Sequence, residues 1–538
     1  MAHRRISMVF AAAVLLGLPI QPVARADTGA KIVEEVDFAT SCSPAVQQAF
    51  RHAAWTLHSF WYPEALKEFT AVTEAEPGCA IGYWGIAMSH WYPLWYPPGP
   101  AALKAGSDAV AKAMAAPTKA ERETDYIAAI AAFYRDSDKL DHRTRAVAYE
   151  KAMEQVYLRY PEDREAGVFY ALALNATALP TDKTYVNKRK AAEILDKVWA
   201  EQPNHPGVVH YLIHSDDSPQ FAEAGLSAAI CYAKIAPEVP HALHMPSHIF
   251  TRLGLWQQSI DSNAASIAYV RKTSGPGAFD GETVHSMDYL EYAYLQTAQD
   301  HQAKEVVDEL LSFRKGDNPN LGMAYAVAAI PVRYALERRD WQTAASLSPP
   351  QIGYPLERFP WAGAMISFAR SLGLARTGDT GGAEAEIAKI KSSEDRLLEA
   401  KDTYWANQVE VLRLGAAGIL AHVQHDDQKA VELVRAAADL DATMDKHPAT
   451  PASVFPPREL LADLLLELNQ PAAALKEYKE VLRTDPNRFR SLLGEARAAK
   501  QSGDTAAAQG SYQRLVALSK PAGPERPELA EAKAYLTN

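Results

Sequence analysis

The sequence predicts an all-α fold, a continuous array of helix hairpins. Three observations carry that expectation. Near the C-terminus a segment repeats after 34 residues, so that Asn469 aligns with Gly503, Ala474 with Ala508 and Tyr478 with Tyr512. Between turn signals, apolar residues recur at spacings of three, four and seven, as in Tyr126, Ile130 and Phe133, which is the period of a helix face. No stretch alternates apolar and polar residues long enough to form a sheet.

In chain order, residues 1–26 read as an export signal: a basic start (His3, Arg4, Arg5), an apolar run from Met8 to Leu18, and Ala24-Arg25-Ala26 before a cut. An exported protein, periplasmic or secreted, is therefore expected. The apolar run is too short for a membrane span, and no later run is long enough. Without these residues, which hold three arginines and no acid, 52 basic residues face 66 acidic ones. That balance argues against nucleic acid and anionic membrane surfaces as partners. Of the three cysteines, Cys42 and Cys79 lie 37 residues apart, about one hairpin, and are expected to form a disulfide. Cys231, within AAICYAKIA, is expected in the core.

Hairpin turns are read at Phe60–Phe69, Leu253–Asn263, Gln299–Val307, Arg338–Leu347, Thr377–Ile387 and His425–Leu433. Pro/Gly-rich interruptions at Tyr92–Pro100, Ser274–Gly281, Ser348–Pro355 and His447–Pro457 mark longer loops. The aromatic loop Trp91–Pro98 reads either as a lid or stacking wall, or as a cap on the N-terminal end. The expected organisation is residues 1–26 signal, 27–280 N-terminal repeats with a His-rich segment, 281–450 irregular repeats, and 451–538 C-terminal repeats.

The His-rich segment concentrates chemistry. Six of the sixteen histidines fall between His210 and Asp288. His210 and His214 are spaced i, i+4; His241, His244 and His248 are spaced i, i+3, i+7; His285 and Asp288 are spaced i, i+3. Each set shares one helix face, and i, i+4 imidazoles can chelate one ion. Pro246 interrupts the second set, either kinking the helix or restarting it in the first-turn position that proline tolerates.

The C-terminal copies, with their tight turn, crossing alanine, aromatic one turn later and terminating Pro486 or Pro521, resemble the tetratricopeptide repeat family. HYLIH, HALHMPSHIF and the N-terminal SCSPAVQQAF, LHSFWYPEA and CAIGYWGIAM resemble a group of exported bacterial members of it. The resemblance covers most of residues 40–300 and implies a right-handed superhelix whose first helices line a concave groove. It implies no activity. His241 precedes the turn residue Gly254 by 13 positions, as His285 precedes Ala298. These two histidines are therefore expected at equivalent places on adjacent first helices, with His210 and His214 one hairpin earlier.

The expected site is a metal centre drawn from His210, His214, His241, His244, His248, His285 and Asp288, with two to four nitrogens on one ion. Imidazole suits zinc first and copper second here, with Met245 and Met287 as thioether candidates. Residue 211 is tyrosine, so the HExxH arrangement is missing; Asp216, Asp217, Glu282 and Glu291 are the candidate bases. His58, Trp84 and His90 join the groove only if the solenoid curls closed. Three functions compete: a groove that binds a peptide or small ligand through a metal site, a metalloenzyme acting as hydrolase or oxidoreductase, and a metal-free scaffold for protein partners. No P-loop, nucleophile elbow or dinucleotide fingerprint is present.

Overall fold

A single backbone device makes the hairpins. Gly254, Ala298, Arg339, Gly378, His425, Asn469 and Gly503 all adopt left-handed φ, between 55° and 94°, which ends one helix and turns the chain into the next. After four of these seven turns an aspartate caps the following helix. Asp340, Asp379, Asp426 and Asp504 accept from the backbone N–H three residues on, satisfying donors the helix start leaves open. The Gly254–Ala298 correspondence read from the sequence holds in backbone conformation, with φ of 63° and 56°.

The computed structural model describes residues 36–537, apart from 95, 118–119, 275–279, 315–319 and 524–525. The expected signal at 1–26 lies outside them. Glu34–Asn538 forms one compact unit. Among the described residues there are twenty-six α-helices, one short 3-10 turn and no β-strand. The architecture is a tetratricopeptide-like stack of paired helices. None of these helices is long and apolar enough to cross a membrane.

The interior divides into two main apolar cores, one running from Val36 to Phe250 and the other from Trp256 to Ala498. Buried ion pairs join helices of different hairpins in the second half: Arg333 holds Asp288 at 2.5 Å and Glu291 at 3.2 Å, and Arg488 holds Glu459 at 2.7 Å. Cys42 and Cys79 are bonded, joining the start of helix Pro44–His58 to the start of helix Ala80–Ser89. Cys231 is half-buried rather than in the core, because it falls on the side of its helix between Ile230, which is exposed, and buried Tyr232.

The superhelix curls until distant hairpins meet. Trp256 Nε1 donates to the Asn487 carbonyl at 2.8 Å, and Asn487 Nδ2 donates to the Gly254 carbonyl at 3.3 Å. A Cβ on Gly254 would lie 2.1 Å from the Pro486 oxygen, so this contact needs glycine for closeness as well as for φ. Elsewhere Lys183 pairs with Asp445 at 2.6 Å and the Asp445 N–H reaches the Pro180 carbonyl at 2.8 Å. This closure brings residues near 58 and 450 to the His-rich segment.

Candidate metal centre

Helix Pro206–Asp216 has every residue buried, so His210 and His214 find their partners inside the protein. Proline restarts the next segment: helix Pro240–His244 ends, Met245 serves as its cap, and Pro246–Arg252 begins. His241 and His244 sit on the first piece and His248 on the second. Helix Gly281–Gln296 brings His285.

These six imidazoles form two triads, His210/His214/His241 and His244/His248/His285, all buried, with one nitrogen of each residue within 4.8 Å of the others in its triad. Three nitrogens per set lie within the expected two to four, but the six histidines divide into two sets rather than one. In the first, His210 Nε2 lies 3.2 Å from His214 Nε2 and 3.1 Å from His241 Nε2. In the second, His244 Nε2 lies 3.1 Å from His248 Nε2, and the His285 ring centroid is 4.4 Å from that of His244. A cavity of about 10 Å³ separates the triads, lined by His214, His241, Met245, His248 and His285. That is room for about one water-sized sphere.

The tautomers follow from the outer partners. His210 donates Nδ1–H to the His58 carbonyl at 2.7 Å, and a carbonyl only accepts. His241 donates Nδ1–H to Glu282 at 3.1 Å. His244 donates to Asn263 Oδ1 at 2.6 Å, and the orientation of that amide is set because Asn263 Nδ2 donates to the Ser259 carbonyl at 2.7 Å. His248 donates to Asp217 at 3.1 Å. In each neutral ring the lone pair is then on Nε2. Two Nε2···Nε2 contacts of 3.1 Å, His210–His241 and His244–His248, therefore oppose lone pair to lone pair. A cation between the nitrogens would relieve such a contact. Two nitrogens bound tetrahedrally to one zinc ion, each at about 2.0–2.1 Å, are about 3.3–3.4 Å apart.

Burial opposes a proton on His210, His214, His244, His248 and His285. Burial, followed by the neighbouring imidazoles, holds His210, His214, His244 and His285 well below the ordinary histidine range. Burial brings His248 down to about 4 against the pull of Asp217. Burial alone would raise the Asp217 carboxyl, but Lys446 and Arg252 hold it well below the carboxylate range. It accepts from both, at 2.6 and 2.8 Å, and so keeps the charge that orients His248.

A third cluster shows the opposite outcome. His58 Nε2 and His205 Nε2 each donate to Glu165 at 2.9 Å. His58 Nδ1 accepts from the Tyr211 hydroxyl at 2.9 Å and His205 Nδ1 from the Val208 N–H at 3.3 Å. Every ring nitrogen is matched, so this cluster is a complete hydrogen-bond network with no opposed lone pairs.

Asp288 stands apart from both triads because Arg333 claims it. Glu291 belongs to the same buried pair. Of the other candidate bases, Asp217 and Glu282 orient histidines, while Asp216 is buried against Lys188 and Asp196, and its carboxyl is pushed up to about 7 by burial. Met287 packs in the second core and Met245 lines the cavity between the triads. His58 reaches the centre through its carbonyl; Trp84 lies in the first core and His90 is half-buried, and neither joins the triads. Sequence reasoning missed Asn263, on helix Trp256–Ser274, and Phe60. The Phe60 ring stacks on His241 at 5.6 Å and meets His210 edge-on at 4.3 Å.

A pocket of about 360 Å³ opens beside the first triad, with His241 and Glu282 in its wall. Phe60, Tyr62, Tyr92 and Tyr96 form its aromatic side. The loop after Trp91 is thus a wall of this pocket.

No family model and no curated protein matches the chain. Solved structures similar to it include a tetratricopeptide repeat protein from Parabacteroides merdae (12% identity, 56% of this chain and 99% of that chain covered, TM-score 0.29). Others are human IFIT1 with PPP-AAAA (12%, 89% and 91%, TM-score 0.35) and Naa15/Naa10 bound to HypK-THB (9%, 91% and 91%, TM-score 0.26). The expectation of an exported, periplasmic or secreted protein is not borne out by these matches, which show the fold alone, and residues 1–26, on which it rests, lie outside the described residues.

Proposed function

We propose that the chain is a metal-binding helical-repeat protein that holds two ions, one on His210/His214/His241 and one on His244/His248/His285. The observation that carries this reading is the pair of opposed Nε2 lone pairs, each fixed by an outer acceptor. Metal-ligating histidines commonly give their other N–H to a carboxylate or carbonyl in this way. An all-imidazole set suits zinc first and copper second.

Metal analysis of the purified protein tests the reading. About two equivalents per chain are expected, falling to about one in His210→Ala/His241→Ala. A folded protein that takes up neither metal would overturn it.

Catalysis is favoured over a purely structural role by ligand count. Each triad offers three protein ligands where a closed structural site uses four, and the first triad adjoins an open pocket. A metalloenzyme of hydrolase or oxidoreductase type is the form of the proposal that this observation supports. The alternative, a metal-free scaffold for peptide or protein partners, draws on a groove of about 460 Å³ among the C-terminal hairpins. Its walls include Trp341 with Arg339, Arg376, Arg490 and Arg497. Those arginines are paired with Asp463, Glu467, Glu528 and Glu531, so the groove is charge-balanced. The same metal analysis separates the two readings.

A further inference from the structure

The pocket beside His241 has a chemistry of its own. Tyr62 and Tyr92 meet edge to face at 5.1 Å, and Tyr92 stacks on Tyr96 at 5.3 Å. Phe60 continues the series, stacked on Tyr62 at 5.1 Å and on His241 at 5.6 Å. An aromatic wall therefore runs from the pocket to the first triad. The lining also holds Asp280 and Glu282, and no lysine or arginine among the described residues.

Two polar atoms in this lining lack a partner among the described residues. The Tyr62 hydroxyl is buried, the residue being 6% exposed, and makes no hydrogen bond. Glu282 Oε2 accepts from His241, but Glu282 Oε1 is buried and unpaired. Buried polar atoms without partners are uncommon in folded proteins and call for a ligand or solvent to satisfy them. A carboxylate oxygen can only accept. The missing partner is therefore a donor, and the surrounding charge favours a cationic one. Aromatic faces attract cations as well, while the same rings offer apolar area to a hydrocarbon body.

We propose that this pocket binds a protonated primary amine carrying an aryl or alkyl body, its ammonium on Glu282 Oε1 and the Tyr62 hydroxyl, its body on Tyr92 and Tyr96. Bound this way, the amine lies next to His241, so the inference deepens the metal-site reading by naming the ligand class its pocket takes. The recognition itself uses no metal ligand atom. His241 contributes only the Nδ1–H that fixes Glu282.

Titration calorimetry with 2-phenylethylammonium tests this, against the neutral isostere 2-phenylethanol and the anion phenylacetate. The protein is used as purified and again after chelation, with helix content checked by circular dichroism. The ammonium is expected to bind at least tenfold more tightly than the alcohol in both states, with phenylacetate the weakest. Tyr96→Ala, which touches neither triad, is expected to weaken the ammonium at least fivefold and leave metal content unchanged. Glu282→Gln is expected to erase most of the preference for ammonium over alcohol. Equal binding of ammonium and alcohol, tighter binding of phenylacetate, or no binding of any of the three overturns the inference. Loss of ammonium selectivity with metal still present removes the inference alone. Ammonium selectivity in a protein that never takes up metal removes the metal reading alone.

Discussion

His210 Nε2 and His241 Nε2 face each other at 3.1 Å, while the opposite nitrogen of each ring is held by the His58 carbonyl and by Glu282. The centre is best tested through these outer acceptors, which can be changed without deleting a ligand.

Glu282→Gln is expected to lower metal affinity at the first triad about 10- to 100-fold, the usual effect of losing an outer carboxylate. The second triad is expected to keep its affinity. Asp217→Asn is expected to produce the reverse pattern. Competition titration with a chromophoric chelator reads both. Equal loss at both triads in either variant would contradict two separate sites.

Phe60→Ala is expected to destabilise the protein by about 3–5 kcal/mol, the range for removing a buried phenylalanine. Phe60 is buried at 6% exposure and covers His210 and His241. Bound ions stabilise wild type and variant alike by mass action, so the same loss is expected with and without metal in urea unfolding unless the variant binds metal more weakly. A change within about 0.5 kcal/mol would show that the ring carries no packing load.

Acid unfolding should expose Glu165. Burial works to raise its carboxyl, but His58 and His205 on either side bring it down to about 2. The unfolded value is about 4.3. A carboxyl depressed by folding contributes stability above its unfolded pKa and loses it as the pH falls through the folded one. The contribution should therefore be complete above about pH 4.5 and fade toward pH 2. Glu165→Gln is expected to flatten the acid limb in that window. An unchanged slope between pH 4.5 and 2 would refute the assignment.

Reduction of the Cys42–Cys79 bond, which closes a loop with a sequence separation of 37, is expected to cost about 2–4 kcal/mol. Cys42→Ser/Cys79→Ser should show the same loss and no sensitivity to reductant. Because neither cysteine belongs to a triad, metal stoichiometry is expected to stay the same.

Much of this architecture was legible from residue spacing. The turn register paired Gly254 with Ala298, and the i, i+4 and i, i+3 spacings set the histidines on shared faces. The division into two triads was not legible: it falls between His241 and His244, which share helix Pro240–His244, while His244 and His248 stand on either side of the restart at Pro246 and belong together. Asp288 carried the spacing of a ligand, but Arg333 lies 45 residues on and takes it. The outer acceptors were hidden for a similar reason: the His58 carbonyl reaches His210 across 152 residues, through a curl of the superhelix that no local pattern encodes.

That curl makes the order of synthesis matter. The Tyr289 hydroxyl, against which His248 packs, donates to the Thr450 carbonyl, and Asp217 draws its charge partner from Lys446, 229 residues away. A nascent chain that has emerged only as far as His285 owns all six imidazoles but not the frame that orients the second triad. Metal taken up at that stage would meet flexible, differently arranged histidines. On the proposed metal reading, correct loading at the second triad would wait until residue 450 has left the ribosome, and metal content would report that the chain has been made at least that far.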